Sequence, residues 1–353
     1  MSITPGSTIG ILGGGQLGRM LAIAAANLGY RTHIYAPGTS GPASEVSARW
    51  THGAYDDKAA VAAFAAQVDV VTYEFENVDV EAVRGLRGVH PSVKALEVAQ
   101  DRVAEKSFVE AVGGRPAPFW PIDSIKDLKD ACKMVGSPAV LKTRRFGYDG
   151  KGQARIPDAS RAEGAWNLIG KQPAVLEKMI EFDAEFSILL ARGPDGRTVL
   201  WDAVTNVHRD GILDLSTVPP FGIVAEQAKE AADLTTRIAG ALDYVGVLAC
   251  EFFASAEGPI FNEMAPRVHN SGHWTIEGAV TSQFENHIRA ICGLPLGSTA
   301  LVGKRAEMRN LIGNDIDDWA EILSDPAAHL HLYGKTGVKP GRKMGHVTKL
   351  FFD

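Results

Sequence analysis

Between residues 8 and 75 short apolar runs alternate with alanine-rich segments of helical character, and few folds accommodate that alternation. The runs 8–12, 31–35 and 68–75 read as strands, while 19–28, closed by Gly29, and 58–67 read as helices. Strands separated by helices pair in parallel, so this region predicts an α/β layer with helices on the faces of a parallel sheet. The first run ends in Gly13-Gly14-Gly15-Gln16-Leu17-Gly18, whose glycines at 13, 15 and 18 match the dinucleotide fingerprint in form. That fingerprint needs a carboxylate at the end of the second strand for the ribose hydroxyls, and here the chain runs Tyr35-Ala36-Pro37-Gly38. A nicotinamide-dependent oxidoreductase is therefore the weaker reading. What survives is an anion site at a helix N-terminus, suited to a single phosphate as well as to a pyrophosphate. The third strand delivers Glu74, Glu76 and Asn77 to its carboxyl end, where such sheets bind ligands.

At 353 residues the chain is long enough for two or three domains. A net charge of −6 excludes general attraction to nucleic acid or to an anionic membrane, so an anionic ligand has to be held by local basic groups. Cys132, Cys250 and Cys292 form no CxxC pair, and neither a signal segment nor an apolar stretch of membrane-spanning length is evident. These features predict a cytoplasmic protein with reduced thiols and neither a nucleic-acid nor a membrane partner.

Beyond residue 100 the pattern becomes α+β. A helix over 101–112 carries Arg102 and Lys106, and 113–118, rich in glycine and proline, reads as a linker. A helix over 124–135 precedes the strand 139–143, which ends in Lys142-Thr143. The following loop holds Gly147, Tyr148, Asp149, Gly150, Lys151, Gly152 and Gln153. Glycines let backbone N–H groups approach anionic oxygens and the lysines neutralise them, which suits a polyphosphate. An apolar strand over 174–180 brings Glu177, Lys178, Met179 and Ile180; a further strand over 184–191 begins with Glu185, and 199–207 leads to His208. The segment 247–254, the turn Ser255-Ala256-Glu257-Gly258 and the segment 259–267 form a hairpin, with Glu251 and Glu263 read as equidistant from its turn. Facing carboxylates roughly 5 Å apart repel unless a cation bridges them, and oxygen ligands select magnesium. Alternation turns Asn262 to the other face unless the chain bends. Trp120, Trp166 and Trp201 read as packing residues, the helix 226–242 as core cover, and Asp315-Ile316-Asp317-Asp318 as a charged turn.

The lysine strand, glycine loop, Glu177-Lys178 strand and acidic hairpin together resemble the ATP-grasp family. Three longer motifs narrow the resemblance to the N5-carboxyaminoimidazole ribonucleotide synthase family: Gly13 to Met20, Gly147 to Gln153, and Asn262 through Arg267, His269 and His273 to Thr275. Tyr333-Gly334-Lys335 and Pro340 to His346 are similar to that family's final segment. The resemblance implies a Rossmann-like domain over 1–98, a linker helix and small lid domain over 99–180, and a larger antiparallel-sheet domain over 181–353. It implies an ATP- and bicarbonate-dependent carboxylation of 5-aminoimidazole ribonucleotide through carboxyphosphate, in a homodimeric enzyme of purine biosynthesis. Arg102, Lys142 and the loop 147–153 would hold ATP phosphates, Glu177 to Ile180 the adenine edge, Glu185 the ribose, and His208 the vicinity of the phosphates. Glu251 and Glu263, with Asn262 beside them, would hold magnesium. Gly15, Gln16, Leu17, Glu76, Arg267, His269, Arg342 and Lys343 would bind the second substrate, and Tyr148, Asp149, Arg267, His273 and Lys343 would act on the reacting groups. Either His269 or His273 suits proton handling, and spacing does not choose between them. The alternatives are another ATP-grasp ligase, such as a formate-dependent purine transformylase or a biotin carboxylase, and a non-catalytic nucleotide sensor.

Overall fold

The computed structural model describes residues 2–147 and 152–353. Strands Thr8–Leu12, Arg31–Ala36, Arg49–His52 and Val70–Tyr73 form the expected parallel sheet, with Thr8–Leu12 between the second and the last. The strand Arg49–His52 carried no apolar signal because it is a half-exposed sheet edge. The first helix, Gln16–Asn27, begins three residues before the alanine-rich stretch, since Gly15 is its N-cap and the glycine turn is itself the helix start. Leu17, Met20, Leu21 and Ala24 bury its inner face.

A small antiparallel sheet follows, in the order Phe119–Ile122, Ala174–Lys178, Ala139–Thr143, Gln153–Ile156. Helices Ile125–Val135 and Ala162–Leu168 pack on it through Leu128, Cys132 and Trp166, around a core of Ile122, Leu141 and Leu176. Ser124 caps the first of these helices, accepting the Asp127 N–H.

Among the described residues the remainder is one antiparallel sheet of nine strands, the short Thr198–Leu200 pairing beside Ala184–Arg192 off the main path. Its spatial order runs from the edge strand Gly258–Ala265 through Gly246–Ser255, Ala184–Arg192, Val204–Arg209 and Ile212–Val218. The C-terminal strands Arg305–Ile312, Lys343–Phe351 and Ala328–Leu332 complete it. The run read as 199–207 is two strands, because Trp201 turns into the core and donates its indole N–H to the Thr281 carbonyl at 3.1 Å. Helix Gly222–Ala241 covers one face through Val224, Leu234 and Ile238. Helix Gln283–Ile291 lies between the other face and the first helix, so Leu17 and Met20 share a core with Leu189, Trp274 and Phe284.

Two expectations are corrected here. The segment 113–118 is not a free linker: the Arg115 carbonyl accepts the Phe261 N–H at 2.8 Å and Pro116 bridges to Phe261. Helix Arg102–Ala111, assigned with the small sheet from sequence, buries Val109 among Phe186, Leu234 and Ile238 of the large unit. Amphipathic spacing shows which helix face is apolar but not which core receives it. The three cysteines are free and buried. Among the described residues no helix is long and apolar enough to cross a membrane.

Candidate functional site

Glu251 and Glu263 are direct cross-strand partners, for a reason the sequence reading had only in part. The turn pairs Ser255 with Gly258 and Phe252 with Phe261, so unbroken alternation would set Asn262 opposite Glu251 and send Glu263 to the core side with Cys250. A β-bulge at Asn262 intervenes, restoring Glu263 to Glu251 and Met264 to Cys250. Phe261 and Met264 thereby both enter the core although two residues separate them, a spacing legible as a break in period two. Burial, reinforced by the Glu263 charge, raises Glu251 to about 7. Burial acts the same way on Glu263, but Arg102, then Lys142 and Lys106, outweigh it and hold that carboxyl below its usual range. Among the described residues no group of three or more His, Cys, Asp or Glu side chains could hold a metal. The facing pair still fits a hard divalent cation completed by phosphate or water oxygens, because a cation between them offsets the repulsion that raises Glu251.

A basic cluster adjoins the pair. Arg102 Nη1 lies 2.9 Å from Glu263 Oε2. Lys142 Nζ and Lys106 Nζ lie 2.8 and 3.3 Å from the two oxygens of Glu177. Burial opposes ionisation of Glu177, but Lys142 and Lys106 overcome it and pull the carboxyl down to about 2. Lys106, wholly buried, and Glu105 were missed as site residues because a helical Glu-Lys pair is usually solvated surface. Glu177 and Lys178, expected to face one adenine edge, point to opposite sides: strand alternation buries the former and exposes the latter, and the Glu177 carboxylate contacts the two lysines. Met179 is exposed, with its N–H on the Pro138 carbonyl, and Ile180 is half-buried. At the loop base Gly147 accepts from Arg102, Gln153 pairs with Lys142, and Gly152 has φ +71 with a Cβ position 2.6 Å from Thr143 Oγ1. Tyr148, Asp149, Gly150 and Lys151 lie outside the described residues.

On the neighbouring strands His208 Nδ1 lies 2.9 Å from Glu185 Oε2. Burial lowers His208, yet Glu185 reverses the effect and raises it overall. His269 Nε2 lies 3.4 Å from Glu251 Oε1, and burial, then Arg267 and Lys343, pushes the imidazole well below its usual value. His273 is likewise neutral, fully buried in a short turn, with Nδ1 against Asn270 Nδ2 and the Tyr333 hydroxyl. The expectation that either histidine exploits a near-neutral pKa is corrected, and His273 is enclosed rather than presented to reactants.

At the first sheet Gly15 N–H donates to Glu74 Oε1 at 2.7 Å, so a carboxylate of the chain occupies the turn read as a phosphate site. Burial raises Glu74, against the opposing Gly15 hydrogen bond and Arg267. Glu74 had been noted only for its position at the strand end. Glu76 Oε2 meets Arg267 Nη2 at 2.8 Å, joining the first sheet to the end of the acidic hairpin. Gln16 is half-buried at the helix start, whereas the Leu17 side chain is in the core and only its backbone can face a ligand. Lys343 opens the strand Lys343–Phe351 and contributes to the field on His208, Glu251 and His269. Arg342 donates to the Thr336 and Gly337 carbonyls, which commits part of its guanidinium to its own loop.

Comparisons with known proteins agree on one family. Residues 107–284 match the ATP-grasp domain, 6–100 the ribonucleotide synthetase preATP-grasp domain, and 306–351 the phosphoribosylaminoimidazole carboxylase C-terminal domain. The chain is 49% identical to the N5-carboxyaminoimidazole ribonucleotide synthase of Brucella melitensis biotype 1, over 99% of this chain and 98% of that one. The crystal structure of the Thermus thermophilus N5-carboxyaminoimidazole ribonucleotide synthetase superposes with a TM-score of 0.90 at 49% identity, covering 97% of this chain and 93% of that one. The Aspergillus clavatus N5-carboxyaminoimidazole synthase, solved with ADP and 5-aminoimidazole ribonucleotide, gives 0.91 at 31% identity, over 98% and 93% of the two chains.

Proposed function

This chain belongs to the N5-carboxyaminoimidazole ribonucleotide synthase family, and from that premise we propose how its own residues carry out the carboxylation. The enzyme is an ATP-dependent ligase acting on 5-aminoimidazole ribonucleotide, with bicarbonate as the carbon source in our reading. A bicarbonate oxygen attacks the γ-phosphorus of ATP and ADP leaves. The exocyclic amine of the ribonucleotide then attacks the carboxyl carbon, phosphate departs, and the amine loses a proton. The observation that carries this reading is the facing Glu251–Glu263 pair beside Arg102, Lys142 and Lys106.

Arg102 and Lys142 bind the phosphates of ATP. In the ligand-free chain they rest on Glu263 and Glu177, which keeps both cations placed until a polyphosphate competes for them. Glu251 and Glu263 hold magnesium, which when bound neutralises charge on the phosphate oxygens. The Glu185–His208 pair, on strands neighbouring the acidic hairpin, is our candidate for the ribose and phosphate edges. The backbone of 178–180 is our candidate for the adenine edge, and the motif 147–153 supplies our further candidates for the phosphates. The ribonucleotide lies between the glycine turn, Glu76–Arg267 and Lys343, with His269 and Arg342 at its border. There Glu74 and Glu76 supply acceptors for amine and hydroxyl groups, and the cations attract its phosphate and the carboxyphosphate. The limits 1–98, 99–180 and 181–353, with helix Arg102–Ala111 of the middle segment packed on the large sheet, belong to this reading, as do the homodimer, on the family resemblance, and a cytoplasmic site of action, on the sequence composition. ADP and phosphate release measured with each substrate omitted in turn tests it. Release should require both bicarbonate and the aminoimidazole; release indifferent to the aminoimidazole sinks the substrate assignment.

A further inference from the structure

The carboxylate pair depends on a bulge that the hairpin alone does not dictate. Asn262 is the extra residue, and it lies on an edge strand whose outward backbone groups need partners. Two of those backbone groups, and the Glu263 carboxylate between them, find partners on one face of helix Arg102–Ala111, at the i, i+3 and i+4 positions. Arg102 pairs with Glu263 at 2.9 Å, Glu105 Oε1 accepts the Met264 N–H at 2.7 Å, and Lys106 Nζ donates to the Asn262 carbonyl at 3.1 Å. Three consecutive strand residues are thus gripped by one helical turn. The Lys106 ammonium is wholly buried and also faces Glu177 at 3.3 Å, so it is anchored from both the large and the small sheet.

We infer that Lys106 is a positioning residue that fixes the bulge at Asn262 and thereby places Glu263 opposite Glu251 for the divalent cation. With its donor removed, the part-buried outward Asn262 carbonyl is left unpaired, and the strand escapes that penalty by giving up the bulge. The alternative register sends the Glu263 side chain toward Cys250. Asn262 then faces Glu251, and one ligand of the pair is lost.

The inference rests on the metal assignment proposed above, and the experiment separates the two. Mn2+ binding to the full chain in saturating ADP is followed by the electron paramagnetic resonance signal of free Mn2+. The parent, Lys106→Met, and Lys106→Met with Glu177→Gln are compared; the double variant removes the charge that the single one leaves short of a partner, and so guards against failure to fold. A tenfold or greater rise in the Mn2+ dissociation constant is expected in every folded variant. A role confined to balancing Glu177 predicts recovery in the double variant, and an affinity there within twofold of the parent overturns the inference. Absence of Mn2+ binding by the parent itself overturns both the metal assignment and the inference.

Discussion

Replacing Lys142 by Met tests whether the basic cluster is held by Glu177 or only sits near it. The drop of the Glu177 carboxyl from 4.5 to about 2 corresponds to roughly 3 kcal/mol of preference for the ionised form, at about 1.36 kcal/mol per tenfold change in proton affinity. Glu177 is 4% exposed, so solvent screening takes little from this. Burial opposes ionisation, so the attraction from Lys142 at 2.8 Å and Lys106 at 3.3 Å together exceeds this net figure, and the Lys142–Glu177 pair contributes at least about 2 kcal/mol. A double-mutant cycle with Lys142→Met and Glu177→Gln, read by unfolding of the ligand-free protein at pH 7, should return a coupling of that size. Because Glu177 is depressed on folding, its contribution is present in full above about 4.5 and fades as pH falls through about 2. The coupling should follow the same course. A coupling below about 0.5 kcal/mol at pH 7 would refute the placement of charge described here.

Three further expectations concern the metal pair, the glycine turn and the buried imidazoles. Glu251→Gln and Glu263→Gln should each lower turnover about 100-fold or more, a loss of roughly 3 kcal/mol of transition-state stabilisation; ADP release within fivefold of the parent excludes the role given to them. Gly13→Ala adds a Cβ at φ +127 within 2.4 Å of Glu74 Cγ. It should raise the KM for 5-aminoimidazole ribonucleotide about tenfold while sparing that for ATP, and equal effects on both would argue against a local site. His287 accepts the Val247 N–H at Nδ1, so Nε2 carries the proton toward Thr72, and burial pushes the imidazole down to about 3. The unfolded chain therefore takes up a proton that the folded chain refuses, and stability present above about 6.5 is lost as pH falls toward 3, by about 2 kcal/mol at pH 5. Melting temperatures at pH 7.5 and pH 5 should differ less in His287→Gln than in the parent, and an equal difference refutes this account.

What was legible beforehand was local. Strand Ala139–Thr143 coincides with the sequence reading, and Ser124 marks a helix start, because period and capping act within a few residues. The acidic hairpin was found for the same reason: its turn and two strands are contiguous. Errors gather where distant segments meet. Glu74 reaches Gly15 across 59 residues and Lys106 reaches Asn262 across 156, and neither contact has a periodic or spacing signature. His273, read as acting on the reacting groups, is enclosed by Tyr333 of the C-terminal segment.

The amino-acid sequence by itself determined the parallel first sheet, the glycine turn, the lysine strand and the family to which they belong, since short-range stereochemistry and motif order are written along the chain. Tertiary structure alone decided that Lys106 holds the Asn262 bulge, that Glu177 is spent on two lysines, and that Glu74 fills the glycine turn. Those outcomes depend on which buried charges and edge-strand groups must find partners once the sheets have assembled, and desolvation acts only on neighbours in space.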